Sequence, residues 1–238
     1  MTWSILARDD KGQFGVAIAS RFFAVGALCV HTRRGVGALS TQALMNPLYG
    51  PAGMEQLSRG LAAHEVVNHL TNADEGRAQR QLHILPAIGA PAAHTGAACV
   101  DWCGHLLFDD FSVAGNMLAG PAVLESTAQA FRDSVGVPLA ERLLFAMACG
   151  EAAGGDKRGK QAAALRIHGD EDYPSLDLRV DDHAEPIAEL HRLYEKSLER
   201  YQPFMACLPG RHDATGITDR NEIEARVARF HEQRRSTR

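Results

Sequence analysis

Thr2, Ser4, Leu6 and Arg8 alternate with Trp3, Ile5 and Ala7, and that period of two predicts a strand. Asp9-Asp10-Lys11-Gly12 is a turn signal and Phe14 to Ala19 a second apolar strand, so the two are expected to pair as a hairpin. Residues 25–31 and 35–40 are two more short apolar runs, split by Thr32-Arg33-Arg34-Gly35, and four strands in succession would make an antiparallel sheet. Residues 53–60 and 62–72 then read as helices, the second with Ala62, Val66 and Leu70 at four-residue spacing. A second β block covers roughly 80–116, including Leu82–Leu85, Ala92–His94 and Phe111–Val113. Helices follow at 121–133 and 138–149, strands at 162–168 and 176–180, and a helix from Pro186 to about Tyr201. Blocks of antiparallel strands with helices segregated between them predict an α+β layered fold rather than alternating βαβ units.

From residue 202 the pattern changes. Pro203, Pro209-Gly210 and Asp213-Ala-Thr-Gly216 mark a loop, and the charged stretch 219–238 carries Ile223, Val227 and Phe230 at helical spacing. The expected organisation is a domain over 1–201 and an appended arm over 202–238 with a short amphipathic helix.

The 238 residues are 45% apolar and 23% charged, ordinary values for a globular protein, and no apolar run approaches the length that spans a bilayer. A net charge of −4 leaves no electrostatic footprint for nucleic acid or an anionic membrane. The first residues lack a basic stretch followed by an apolar run, and five cysteines do not suggest a secreted disulfide framework. A cytoplasmic protein is expected, and a homo-oligomer such as a dimer on general grounds.

Several familiar motifs fail. Gly150-Glu-Ala-Ala-Gly-Gly155-Asp156-Lys157 resembles a phosphate loop, but Asp156 stands where the lysine should be and no apolar strand precedes it. Cys99, Cys103 and His105 form a compact sulfur and nitrogen cluster; a zinc hydrolase or deaminase is one reading and small buried residues the other. Thr2 is the most informative residue because of where it sits. A hydroxyl needs a base beside it, and removal of Met1 would make the α-amino group of Thr2 that base, with a pKa of ~7.7–8.0. The residue also leads directly into a strand, which places it at a strand end where a cleft can form.

The strings Thr2 to Asp9, Gly15 to Gly26, Ser40-Thr-Gln-Ala43, Asn46 to Pro51, His94-Thr-Gly-Ala-Ala-Cys99, Gly115 to Pro121 and Ala153-Gly-Gly-Asp-Lys-Arg-Gly159 together resemble the domain of unknown function 1028 family. These seven motifs run in order over about residues 2–200; the tail from about 202 is outside the pattern. The resemblance implies membership among the N-terminal nucleophile (Ntn) hydrolases, a four-layer αββα sandwich of antiparallel sheets, and an amide-hydrolase scaffold.

Within that resemblance, Thr2 would be nucleophile and, through its amine, general base. Asn116, in a Gly-Asn pair after a strand, would donate its amide to an oxyanion, or else only form a turn. Ser20 and Arg21 end the second strand near Thr2, and Arg21 could fork to a substrate carboxylate or cap a sheet edge. Thr41, Gln42 and Asn46 are expected to start the first helical region, where backbone N–H groups favour anions, with capping the better reading for Asn46. Asp156 would contact the Thr2 amine or a substrate cation, beside Lys157 in the same loop. His94 is the remaining candidate for substrate binding, or a structural histidine. The expectation is an amidohydrolase cleaving a small amide or peptide bond, such as that of an acylated amino acid or short peptide, with no metal and no cofactor; the alternative is a non-catalytic small-molecule binding protein on the same scaffold.

Overall fold

The computed structural model describes residues 2–236 and divides into two compact units, one through Leu190 and one from His191 onward. The division falls within the helix that begins at Pro186 rather than at its end. Among the described residues no helix is long and apolar enough to cross a membrane.

The first unit begins with β1 (Thr2–Arg8), β2 (Phe14–Ser20), α1 (Val25–Cys29), β3 (Val30–Arg33) and β4 (Gly37–Ala43). Helices α2 (Tyr49–Ser58) and α3 (Ala63–Asn72) follow, then β5 (Arg80–Pro86), β6 (Ala92–Thr95), β7 (Trp102–Leu107) and β8 (Phe111–Leu118). Helices α4 (Ala122–Asp133) and α5 (Leu139–Ala152) lead to β9 (Ala162–His168), β10 (Leu176–Val180) and α6 (Pro186–Glu199). The strands form a six-stranded sheet in the order β10-β9-β2-β1-β8-β7 and a four-stranded sheet in the order β3-β4-β5-β6, antiparallel throughout.

The sheets lie face to face, with β1, β2 and β8 against β4 and β5. Helices α4 and α5 cover the outer face of the larger sheet, and α2 and α3 that of the smaller. The result is the four-layer αββα sandwich. It follows from the chain's hydrophobic pattern, because each sheet has two faces to bury and each helix pair one stripe to supply. On β1, Trp3 lies towards α5, where a Cβ on Gly150 would come within 2.9 Å of the indole nitrogen and 2.2 Å of Thr127 Oγ1. Gly150 therefore serves helix packing, which accounts for a glycine in the string that imitates a phosphate loop.

Two expectations are corrected. Residues 25–29 form α1 and not a strand. The buried members Val25, Gly26 and Cys29 have helical spacing, but five residues are too few for a period to be told from an apolar run. Ala24, in a left-handed conformation at φ 52°, turns the chain out of the strand direction. In consequence the first four strands do not share a sheet: β1 and β2 pair in one, β3 and β4 in the other, with α1 packed against strands of both.

The space between the sheets is apolar at one end and polar at the other. Leu6, Phe14, Val16, Ile18, Val25, Ala38 and Leu85 make the apolar cluster. Ser4, Gln42, His83 and Ser112, all at most 1% exposed, form the polar part. Ser4 Oγ donates to Gln42 Oε1 at 2.8 Å and lies 2.8 Å from His83 Nε2; Ser112 Oγ lies 2.9 Å from His83 Nδ1. With the Ser4 proton given to Gln42, Ser4 accepts from Nε2–H and Ser112 donates to Nδ1, so the imidazole is neutral.

The second unit contains the end of α6, α7 (Tyr201–Met205) and α8 (Arg220–Ser236). On α8, Val227 is buried and Ile223 and Phe230 are half-buried, and Arg200 pairs with Glu224 at 2.6 Å.

Burial holds the His83 imidazole down at about 3, from an ordinary 6.5. Between those values the unfolded chain binds a proton that the folded chain refuses. The stability due to neutral His83 is thus complete above pH 6.5 and is lost as the pH falls towards 3. Urea melts over that window should show stability falling with pH, with a shallower fall for His83→Gln. An equal slope in the two proteins would show that His83 contributes nothing to it.

Candidate active site

Thr2 is the first residue of β1, a strand paired on both sides. Its register partners are Ser20 on β2 and Asn116 on β8, so three polar side chains meet at one end of the larger sheet. Thr2 Oγ1 donates to Ser20 Oγ at 3.1 Å. The facing positions on the smaller sheet are Gln42 and Gln81. Gln81 Oε1 accepts from Asn116 Nδ2 at 2.9 Å and from Gln42 Nε2 at 2.8 Å. Gln81 Nε2 lies 2.8 Å from the Gly115 carbonyl, 2.9 Å from Thr95 Oγ1 and 3.0 Å from the Gly104 carbonyl. One fully buried amide thereby ties β5 to β4, β6, β7 and β8.

A cavity of about 580 Å³ opens over this end, within the range of small-molecule sites. Thr2, Gln42 and Asn116 line it together with Val25, Leu44 and Met117. The backbone here is strained. Among the described residues the non-glycine positions with positive φ are Ala24, Ala43, Asp101 and Met117, at 52°, 68°, 57° and 54°. Ala43 and Met117 line the cavity, while Ala24 and Asp101 adjoin the lining residues Val25 and Val100. Each costs on the order of 1 kcal/mol, and strain of this kind concentrates at functional sites.

The structure brings Thr2, Gln42 and Asn116 together at the cavity, with Ser20 directly beside Thr2 and itself fully buried. Asn116 is inside β8 and not in a turn; the positive φ belongs to the next residue, Met117. Its amide also reaches the Thr2 carbonyl at 3.5 Å. Thr41 and Gln42 belong to β4, so neither stands at a helix N-terminus as expected. Alternation points Gln42 inward and Thr41 the other way, where Thr41 Oγ1 donates to the Asn46 carbonyl and accepts its N–H, both at 3.2 Å. Asn46 Oδ1 accepts the Leu48 N–H at 3.1 Å, closing the turn into α2.

Asp156 is buried, and its carboxylate accepts the backbone N–H groups of Arg21 at 3.0 Å and Arg158 at 2.8 Å. It clamps the glycine-flanked loop to the end of β2, and Arg158 rather than Asp156 lines the cavity. Arg21 is exposed and gives its guanidinium to the Arg158 carbonyl. Lys157 pairs with Asp101, and His94 Nε2 lies 2.8 Å from the Arg77 carbonyl; neither lines the cavity.

Cys99, Cys103 and His105 do not converge. Cys99 Sγ faces the Arg80 carbonyl at 3.4 Å, Cys103 Sγ the Cys99 carbonyl at 3.8 Å, and His105 Nδ1 lies 2.9 Å from Thr95 Oγ1. Burial pushes both thiols up from their ordinary value. Among the described residues no three His, Cys, Asp or Glu side chains are placed to hold a metal ion. Gln81 and His83 were not among the sequence candidates. Their signal is two polar side chains at alternate positions of a strand, Arg80–Pro86, that is apolar at Leu82 and from Ile84 on.

The model of a family described as "Family of unknown function (DUF1028)" matches residues 2–190. The chain belongs to the DUF1028 family. Among solved structures, protein SPO2555 of Silicibacter pomeroyi, itself assigned to DUF1028, is 31% identical, with a TM-score of 0.84 over 92% of this chain and 99% of that one. Anbu (ancestral beta-subunit) from Yersinia bercovieri is 13% identical, with a TM-score of 0.40 over 82% of this chain and 94% of that one. An Anbu mutant from Hyphomicrobium sp. strain MC1 is 14% identical, with a TM-score of 0.42 over 83% and 95%. No curated protein matches the chain. The DUF1028 match ends at Leu190, where the first compact unit also ends.

Gln81→Leu keeps the volume but strands the amides of Gln42 and Asn116 without their acceptor. Leaving several buried polar groups unpaired should cost about 3 kcal/mol or more in urea denaturation. A cost below about 0.5 kcal/mol would mean that these groups find other partners.

Proposed function

We propose that this DUF1028 protein is an amide hydrolase whose nucleophile is Thr2. The observation that carries the reading is the position of the Thr2 hydroxyl: at the head of a central strand, hydrogen-bonded to Ser20, on the wall of a cavity ringed by strained backbone. Met1 lies outside the described residues. Its removal leaves the Thr2 amine free, with an α-amino pKa of ~7.7–8.0, close to physiological pH, so that part of it is unprotonated and able to take the hydroxyl proton.

Thr2 Oγ1 then attacks the amide carbonyl carbon, and the amine carries the hydroxyl proton to the leaving nitrogen as the C–N bond breaks. Water hydrolyses the resulting ester and restores the threonine. Ser20 Oγ orients the nucleophile before attack. Asn116 holds one N–H on Gln81 Oε1 and serves the oxyanion with the other, which reaches the Thr2 carbonyl only at a loose 3.5 Å. Asp156 acts one step away: by fixing the Arg21 backbone it holds the end of β2, and with it Ser20. The non-catalytic binding reading draws on a different observation, that Gln42 and Asn116 are already bonded within the protein.

The intact mass of untagged protein from bacteria should lack one methionine. A β-lactone probe should then add one acyl group that maps to residue 2. Thr2→Ala should abolish the labelling and lower amide turnover at least ~10³-fold while leaving the urea midpoint in place. A retained Met1 with no labelling would remove the base and the nucleophile together and leave the binding reading.

A further inference from the structure

The lining of the Thr2 cavity specifies a ligand chemistry. Its polar end is Thr2, Gln42 and Asn116, all buried. Apart from Gln79 and two arginines the rest of the wall is apolar, and three large side chains of it are left open to solvent: Phe22 at 51%, Leu44 at 59% and Val100 at 56%. They come from three separate segments, the bend after β2, the loop after β4 and the loop before β7. Single exposed apolar residues are ordinary, but a patch that converges on a cavity marks a binding surface for apolar groups.

The charged residues of the wall are cations, Arg80 and Arg158, with no carboxylate among them. Arg80 is engaged: its Nε lies 3.0 Å from Asp74 Oδ2, and its guanidinium also reaches the Leu44 carbonyl. Arg158 is held loosely, with Nη2 at 3.4 Å from Asp156 Oδ2 and 3.5 Å from the Arg21 carbonyl. The Asp156 carboxylate already accepts two shorter backbone bonds. The Arg158 guanidinium thus retains donors for a carboxylate at the cavity edge, whereas a cationic ligand would meet two arginines and no acid.

We infer that the substrates are N-acylated amino acids or similar amides, with an apolar acyl chain lying against Phe22, Leu44 and Val100 and a free carboxylate held by Arg158. The inference rests on the amidase reading of Thr2, since it places the scissile amide at the polar end. In the reaction the amide C–N bond is cleaved by water, giving the fatty acid and the free amino acid.

Calorimetric titration of the Thr2→Ala protein with N-decanoylglycine, N-acetylglycine and N-decanoylglycinamide tests the ligand class without turnover. N-decanoylglycine should bind at least about tenfold more tightly than either of the others. Arg158→Gln should erase the preference for the glycine over the glycinamide and keep the preference for the long chain. Leu44→Ser with Val100→Ser should do the reverse. Equal affinities for the three compounds would overturn the inference, even if a β-lactone still labels Thr2. Selective binding without release of decanoate by the wild-type protein would support the ligand class and overturn the amidase reading.

Discussion

Polar side chains caught between two sheets must find partners inside the protein, and most of this fold's specificity follows from that requirement. A buried amide or imidazole without a hydrogen bond costs several kcal/mol, so a slip of register in β4, β5 or β8 would be heavily penalised. Gln81 concentrates the constraint, its oxygen accepting from Gln42 and Asn116 and its two N–H groups having Thr95 and two backbone carbonyls within reach. The apolar cluster around Leu6, Phe14 and Leu85 drives the sheets together; the polar seam decides how they align.

The same seam builds the candidate site. It ends where β1 begins, so the hydroxyl of Thr2 emerges beside amides that are already oriented. The rigidity of the first unit is thereby passed to the threonine hydroxyl. Four left-handed residues around the opening show that the surrounding turns are held against their own preference, by contacts such as the Met117 N–H on the Val100 carbonyl at 3.1 Å.

Much of the site was within reach of the sequence where chemistry and position coincide. Thr2 stands out because a hydroxyl at residue 2 leads into an alternating strand. Gln42 and Asn116 entered as members of motifs shared with the family, and both line the cavity. Thr41, His94 and Lys157 belong to the same motifs and lie elsewhere, because motif membership does not say which way a side chain points. Asp156 belongs to such a motif as well, yet its carboxylate is spent on backbone N–H groups. Phe22, Leu44 and Val100 carry no local signal, since an apolar residue in a loop is unremarkable until three such loops meet.

Local pattern alone was enough for β1, β2, β9 and β10, for the helix pairs over 49–72 and 122–152, and for the α+β class. The reason is that periodicity and turn chemistry act over a few residues and are written directly in the chain. Assignment of hairpins to sheets needed the folded molecule, as did the helical state of Val25–Cys29 and the meeting of Thr2 with Gln42, Gln81 and Asn116. Those outcomes depend on contacts between residues far apart in sequence, whose free energy exists only once both sheets are in place.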